Sequence, residues 1–315
     1  MSVNIARTAD GWWIERGGRL VSIDTRASTT RELLADREAI ERAIENGSAG
    51  PRVDDVVLLS PVTAPARVVA QMVNYRSHAI DSGFDPDAVL PTFFRKASGS
   101  VTGPTGDIVC PPHVGFLDYE VELGVVLGRR LEIGDVVTSE NLGDYVAGLV
   151  ITNDVSARDI QLTRTQFYES KSYPTFTPVG PYLALVSADE LADLHALRLT
   201  LTVNGEVRQN STVAEMIVSP AEALTLLARF QVLDAGDLVL TGTPGGTALK
   251  APPKVVEKIA GLLPPAVKWR AFFSRQASNP RYLRNGDVVT ATIGRPDGAV
   301  ALGTQINTVR SRGLR

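Results

Sequence analysis

One cysteine, Cys110, and three histidines, His78, His113 and His195, are the only thiol and imidazole groups in this 315-residue chain. A lone cysteine forms no internal disulfide and no thiolate cluster, which excludes a disulfide scaffold, Cys-ligated zinc and iron–sulfur chemistry. Long apolar runs are missing as well: nothing approaches the ~18 to 20 residues of a membrane span. Met1 to Asp10 carries polar residues where a signal peptide needs an apolar stretch. Excess charge is absent too. The 35 acidic and 32 basic residues leave a net charge of −3, with no surplus to hold a phosphate backbone. These absences argue against nucleic-acid and membrane partners and point to a cytoplasmic protein.

What is present is ordinary globular material. Hydrophobic residues make up 44% and charged residues 21%, a composition that builds a core and excludes disordered or fibrous chains. Two short alternating runs, Gly11 to Glu15 and Arg19 to Asp24, predict a hairpin turning at Gly17 and Gly18. A helix follows, capped at Thr29 or Thr30 and carrying Leu33, Leu34, Ile40 and Ile44 at helical spacing until Gly47. Gly47, Ser48, Gly50 and Pro51, then Pro61 and Pro65, form a break that divides a small N-terminal α/β module, residues 1–66, from the rest, 67–315.

Beyond the break, seven β-branched runs separated by turn residues predict strands: Ala66 to Val73, Glu120 to Leu127, Tyr145 to Thr152, Tyr182 to Val186, Arg198 to Val203, Asp237 to Thr241 and Asp287 to Ile293. The chief helix among them is Pro220 to Phe230. The pattern is a β-rich α+β fold and not a doubly wound sheet. Between Lys250 and Arg284 eight basic residues face one acidic residue, Glu257, an excess of seven positive charges in a chain of net −3. Pro252–Pro253 and Pro264–Pro265 each open a helix there, so residues 250–284 read as a helical insertion, either a solvated excursion or a lid over a site.

The sharpest chemical feature is Asp118-Tyr119-Glu120-Val121-Glu122-Leu123-Gly124. Strand alternation sends Glu120 and Glu122 to one side and the apolar residues to the other. From spacing alone this suits a half-exposed strand with its acids in water. Asp154 follows another apolar strand, where a ligand can approach or the side chain can simply cap a turn. Together, two glutamates and an aspartate offer an all-oxygen site for a hard cation, Mg²⁺, Mn²⁺ or Ca²⁺. No Gly-x-Ser-x-Gly elbow positions a serine nucleophile.

Five segments in order carry a further signal: Asn74-Tyr75-x-x-His78; Asp118-Tyr119-Glu120-x-Glu122; Asn153-Asp154-x-x-x-Arg158-Asp159-x-Gln161; Lys171-Ser-Tyr-Pro-Thr-Phe-Thr-Pro; and Thr241-Gly-Thr243-Pro-Gly-Gly246. This order resembles the fumarylacetoacetate hydrolase family over about residues 67 to 310. The resemblance implies a rolled mixed β-sheet core, usually homodimeric, that holds Mg²⁺ or Mn²⁺ through Glu120, Glu122 and Asp154. It implies a small 1,3-diketo or 2-oxo acid substrate, such as the acylpyruvates and fumarylpyruvate of aromatic catabolism, cleaved at a C–C bond. His78 and Asp81 would then activate water, Lys171 would hold the developing oxyanion, and Arg158, Gln161 and Thr243 would contact substrate. Hydrolytic members usually carry Glu where this chain has Asp81, one methylene shorter. The same metal-enolate chemistry also serves oxaloacetate decarboxylation, 2-oxoalkenoate hydration and keto–enol or 2-hydroxymuconate-type isomerisation. A catalytically silent 2-oxo-acid-binding protein is the remaining alternative. The roughly 35 residues between the threonine loop and Asn285 depart from the family pattern.

Overall fold

A computed structural model describes residues 2–164, 166–252 and 264–311. The fold is β-rich α+β, built on two sheets. The larger has ten strands in the order Ala49–Arg52, Arg19–Ser22, Gly11–Arg16, Val3–Thr8, Leu183–Leu185, Val146–Asn153, Val121–Leu127, Leu238–Leu240, Val68–Met72 and Thr92–Lys96. The smaller runs Glu206–Thr212, Arg198–Val203, Val288–Gly294, Ala301–Ser311 and Ile108–Cys110. Pairing is mostly antiparallel; Leu238–Leu240 joins Val68–Met72 in parallel, as Ala301–Ser311 joins Ile108–Cys110.

Strand Val121–Leu127 sits at the middle of this order, with all seven residues buried. Val121, Leu123, Val125 and Leu127 enter the main core with Leu149, Ile151, Leu199 and Leu201. Val126 turns to the other face and joins Val150, Leu238 and Leu240. Burial on both faces therefore explains the continuous apolar run. Because Glu122 shares its parity with Val126, it too points away from the main core, at the strand end where the sheet opens.

Residues 1–66 form no sheet of their own. Val3–Thr8 hydrogen-bonds to Leu183–Leu185, so the N-terminal strands extend the large sheet. Ile5, Trp12, Ile14 and Leu33 share a cluster with Val68, Val126 and Leu240. The predicted single helix is two: Thr30–Ala35, started by a Thr29/Glu32 capping box, and Arg37–Asn46. The helix expected at Pro220 is Pro220–Leu227. Of the two helices expected in the insertion, the first falls on residues 253–263, outside the described residues, and the second is Pro265–Ala277. No helix among the described residues is long and apolar enough to cross a membrane.

The turn after Leu238–Leu240 positions much of the site. Gly242 and Gly246 hold φ of +87° and +104°, conformations that side chains resist. A Cβ on Gly246 would lie 2.1 Å from the Arg208 carbonyl oxygen. Gly246→Ala is therefore expected to cost at least about 2 kcal/mol, read as a lower urea midpoint. An unchanged midpoint would mean that the turn relaxes freely.

Candidate active site

Four strand ends and three short helices converge on one cavity of about 950 Å³. Glu120 precedes and Glu122 lies on the central strand, and Asp154 follows its neighbour Val146–Asn153. Their carboxylates are buried, and one oxygen from each lies within 4.8 Å of the others. Antiparallel pairing of Val121 with Asn153 brings them together. Two local bonds lock this corner: Glu120 N–H donates to Asn153 Oδ1 at 2.9 Å and Asp154 N–H to the Glu120 carbonyl at 2.8 Å.

Three buried cations balance the anions. Lys171, ending helix Tyr168–Lys171, bridges Glu120 at 2.5 Å and Asp154 at 2.6 Å. Arg158, opening helix Arg158–Thr163, pairs with Glu120 and, at 2.8 Å, with Asp118. Lys96, ending the edge strand Thr92–Lys96, pairs with the second Asp154 oxygen and donates to the Phe176 carbonyl at 2.9 Å. With Asp118 included, four carboxylates face these three cations. The uncompensated charge falls on Glu122, which has no cation partner among the described residues and accepts Gly242 N–H at 2.7 Å.

The electrostatics follow that division. Burial alone would raise the Glu120 carboxyl, yet Arg158 and Lys171 beside it hold it down at about 2. Burial, then Asp154 and Glu120, push Glu122 well above the carboxylate range. Burial lowers Lys96 despite Asp154. For Lys171 the two carboxylates outweigh burial and raise it. Three buried oxygen donors, one of them an acid whose anion only an added cation would stabilise, are the chemistry a hard divalent cation seeks, so the residues present fit such an ion.

The remaining predicted residues divide into those facing the cavity and those spent on structure. His78, on helix Arg76–Asp81, is buried at the cavity wall, and its Nδ1 has no hydrogen-bond partner. Burial drives its pKa down and keeps the imidazole neutral. The expected His78–Asp81 pairing is not formed. Asp81 instead accepts Gly246 N–H at 3.0 Å and Lys250 Nζ at 2.9 Å, so both its oxygens are engaged elsewhere. Gln161 lines the cavity beside Arg158 and accepts from it at 2.8 Å. Thr243 lines the cavity, but its hydroxyl donates to the Val121 carbonyl at 2.9 Å and accepts from Gln209 at 2.8 Å.

Lys96 and Gln209 escaped the sequence reading, and Asp118, though it opens the acidic motif, had no role assigned to it. Lys96 had a signal: in Thr92-Phe93-Phe94-Arg95-Lys96 alternation puts Lys96 on the face of Phe94, an apolar strand face ending in a cation. Asp118 binds Arg158 and also accepts Ala248 N–H at 2.8 Å and Leu249 N–H at 3.1 Å, fixing the start of the insertion.

A family model, the C-terminal domain of fumarylacetoacetate hydrolases, matches residues 67–310. The chain belongs to that family. It is 35% identical over 254 residues to the mitochondrial oxaloacetate tautomerase FAHD2A of Bos taurus, covering 77% of this chain and 79% of that one. To the oxaloacetate tautomerase YisK of Bacillus subtilis it is 34% identical over 253 residues, 79% and 73% of the two chains. Among solved structures it resembles a probable 2-hydroxyhepta-2,4-diene-1,7-dioate isomerase from Mycobacterium abscessus, with TM-score 0.75, 27% identity and full coverage of both chains. It also resembles a fumarylacetoacetate hydrolase from Exiguobacterium antarcticum, with TM-score 0.74, 28% identity and coverage of 99% of this chain and 100% of that one.

The balance of charge yields a pH prediction. The Glu120 pKa lies below its ordinary 4.5 at about 2, so its contribution to stability is full above pH 4.5 and is lost as pH falls toward 2. Lys171→Met removes one of the cations holding it there and is expected to move the acid-unfolding midpoint, followed by circular dichroism, to higher pH. An unmoved midpoint would show that Lys171 does not set the Glu120 charge.

Proposed function

We propose that this protein catalyses metal-assisted keto–enol interconversion of a small 2-oxo acid, with oxaloacetate the first substrate to test. The observation that carries the reading is His78. It is a buried, neutral imidazole on the wall of the carboxylate cavity, without the acid partner that a water-activating dyad requires. Enolisation moves one proton from the carbon beside a carbonyl to the carbonyl oxygen and consumes no water, so one base and one stabiliser of negative charge suffice. A neutral imidazole suits the base, taking the proton from carbon and returning it to oxygen or the reverse. Lys171, kept cationic by its carboxylates, supplies fixed positive charge beside the developing oxyanion. Mg²⁺ or Mn²⁺ held by Glu120, Glu122 and Asp154 would add Lewis-acid polarisation of the 2-oxo group. The names of the tautomerase relatives support this reading.

C–C bond hydrolysis of an acylpyruvate uses the same carboxylates and remains the second reading, favoured by the family pattern. The two part on Asp81. Enol decay of oxaloacetate, monitored by ultraviolet absorbance with added Mg²⁺ or Mn²⁺, is expected to accelerate and to stop with EDTA. His78→Ala should lower kcat by about 10²- to 10⁴-fold, and Asp81→Asn by less than about tenfold. Glu120→Gln and Glu122→Gln should weaken metal binding in calorimetry. Release of pyruvate from acetylpyruvate outpacing the enol reaction, and abolished by Asp81→Asn, would return the assignment to hydrolysis.

A further inference from the structure

The cavity is far larger than a four-carbon acid needs. Its volume of about 950 Å³ stands at the upper end of the roughly 300–1,000 Å³ of sites that enclose drug-sized ligands. The carboxylates, Lys171 and His78 belong to one part of its lining. Much of the rest is aromatic: Phe84, Phe94 and Phe167 from outside the insertion, and Trp269 and Phe272 from the insertion helix Pro265–Ala277. Phe94 and Phe167 meet edge to face at 5.5 Å, and Lys171 Nζ lies 5.5 Å from the Phe94 ring centre. The aromatic wall therefore begins beside the charged site.

The insertion helix is anchored and not merely draped over the opening. Trp269 stacks on Phe273 at 5.6 Å, Phe273 on Phe116 at 5.8 Å and Phe116 on Tyr282 at 5.1 Å, a continuous stack ending in a buried ring. Tyr282 Oη donates to Gln276 at 2.9 Å. Arg281 donates to the Gly246 carbonyl at 2.6 Å, tying the segment after the helix to the turn that carries Thr243. Within this frame Trp269 still presents 42% of its surface and Phe84 54%. Apolar rings left open to water in a concave site gain free energy when a flat apolar group covers them.

Resting on the reading of a site for keto–enol interconversion of a 2-oxo acid, we propose that Trp269 and Phe272 form a specificity subsite that takes a large apolar substituent, aryl or polyenyl, on the substrate carbon remote from the carboxylate. The charged end of the substrate lies at the carboxylate cluster and the apolar end under the insertion helix. A distal carboxylate fits less well. Arg281 is already engaged, and Arg275 is exposed, where an ion pair contributes little.

The test compares oxaloacetate, phenylpyruvate and 2-oxoadipate as substrates, and phenylpyruvate as a ligand in calorimetry. Trp269→Ala and Phe272→Ala should each lower kcat/KM for phenylpyruvate by at least about tenfold, chiefly through KM, while oxaloacetate changes less than about threefold. Trp269→Phe should restore most of the loss, which a merely unfolded helix would not allow. Equal losses on oxaloacetate and phenylpyruvate would overturn the subsite. So would a preference for 2-oxoadipate abolished by Arg275→Gln. If neither oxaloacetate nor phenylpyruvate turns over, the reaction assignment fails, and calorimetry decides the subsite alone: phenylpyruvate binding weakened tenfold by Trp269→Ala upholds it, and unchanged binding removes it.

Discussion

The site depends on one constraint, the charge balance of three clustered buried carboxylates and a fourth, Asp118, joined to them through Arg158. Glu120, Glu122, Asp154 and Asp118 are each at most 4% exposed, and such a group of anions is tolerated only where cations and N–H donors meet it. Lys96, Arg158 and Lys171 come from three separate segments to do so. Removing one partner from a buried pair costs about 3 to 5 kcal/mol, because the other charge is left uncompensated. The edge strand and both short helices are thereby committed to their places by electrostatics as much as by packing. The cations stop one short, so Glu122 is disfavoured as an anion, and a divalent cation could take the place of its proton.

Local periodicity made the skeleton of this arrangement legible. Alternation in Glu120 to Leu127 predicts the strand and the shared side of the two glutamates, but the half-exposed face expected from spacing is in fact buried, because the fold brings cations to the acids; the strand Arg198–Val203 has the bounds its pattern predicts. Long-range pairing was not legible. The Asp81 carboxylate is three residues from His78, a helical spacing that invites a dyad, but its oxygens are taken by Gly246 and Lys250, more than 160 residues away in sequence. A lone Lys96 after two phenylalanines carries no family motif, and only the fold brings it to Asp154. The N-terminal segment reads as a module because glycine and proline punctuate its end. Backbone hydrogen bonds between Val3–Thr8 and Leu183–Leu185, to which side-chain patterns are blind, merge it with the main sheet.

The glycine turn after Leu238–Leu240 is where these elements meet. Gly242 N–H donates to Glu122, Gly246 N–H to Asp81, and the Gly246 carbonyl accepts from Arg281. One tight turn thus touches a metal-type carboxylate, the helix of His78 and the segment that follows the insertion helix. Side chains on the turn would crowd these approaches, since a Cβ at Gly242 would lie 2.6 Å from Asn74 Cβ. Glycine is required here because three functional elements must approach the same backbone.

This wiring separates two jobs in one cavity. The carboxylate end is dense with charge-assisted bonds, and little there can shift without exposing a buried ion to an unfavourable field. The insertion end is held by stacked rings and a few polar ties, interactions that tolerate changes of size and shape far better. On the proposed reading that division has a use: the charged end would set what reaction occurs, and the aromatic end which molecule undergoes it.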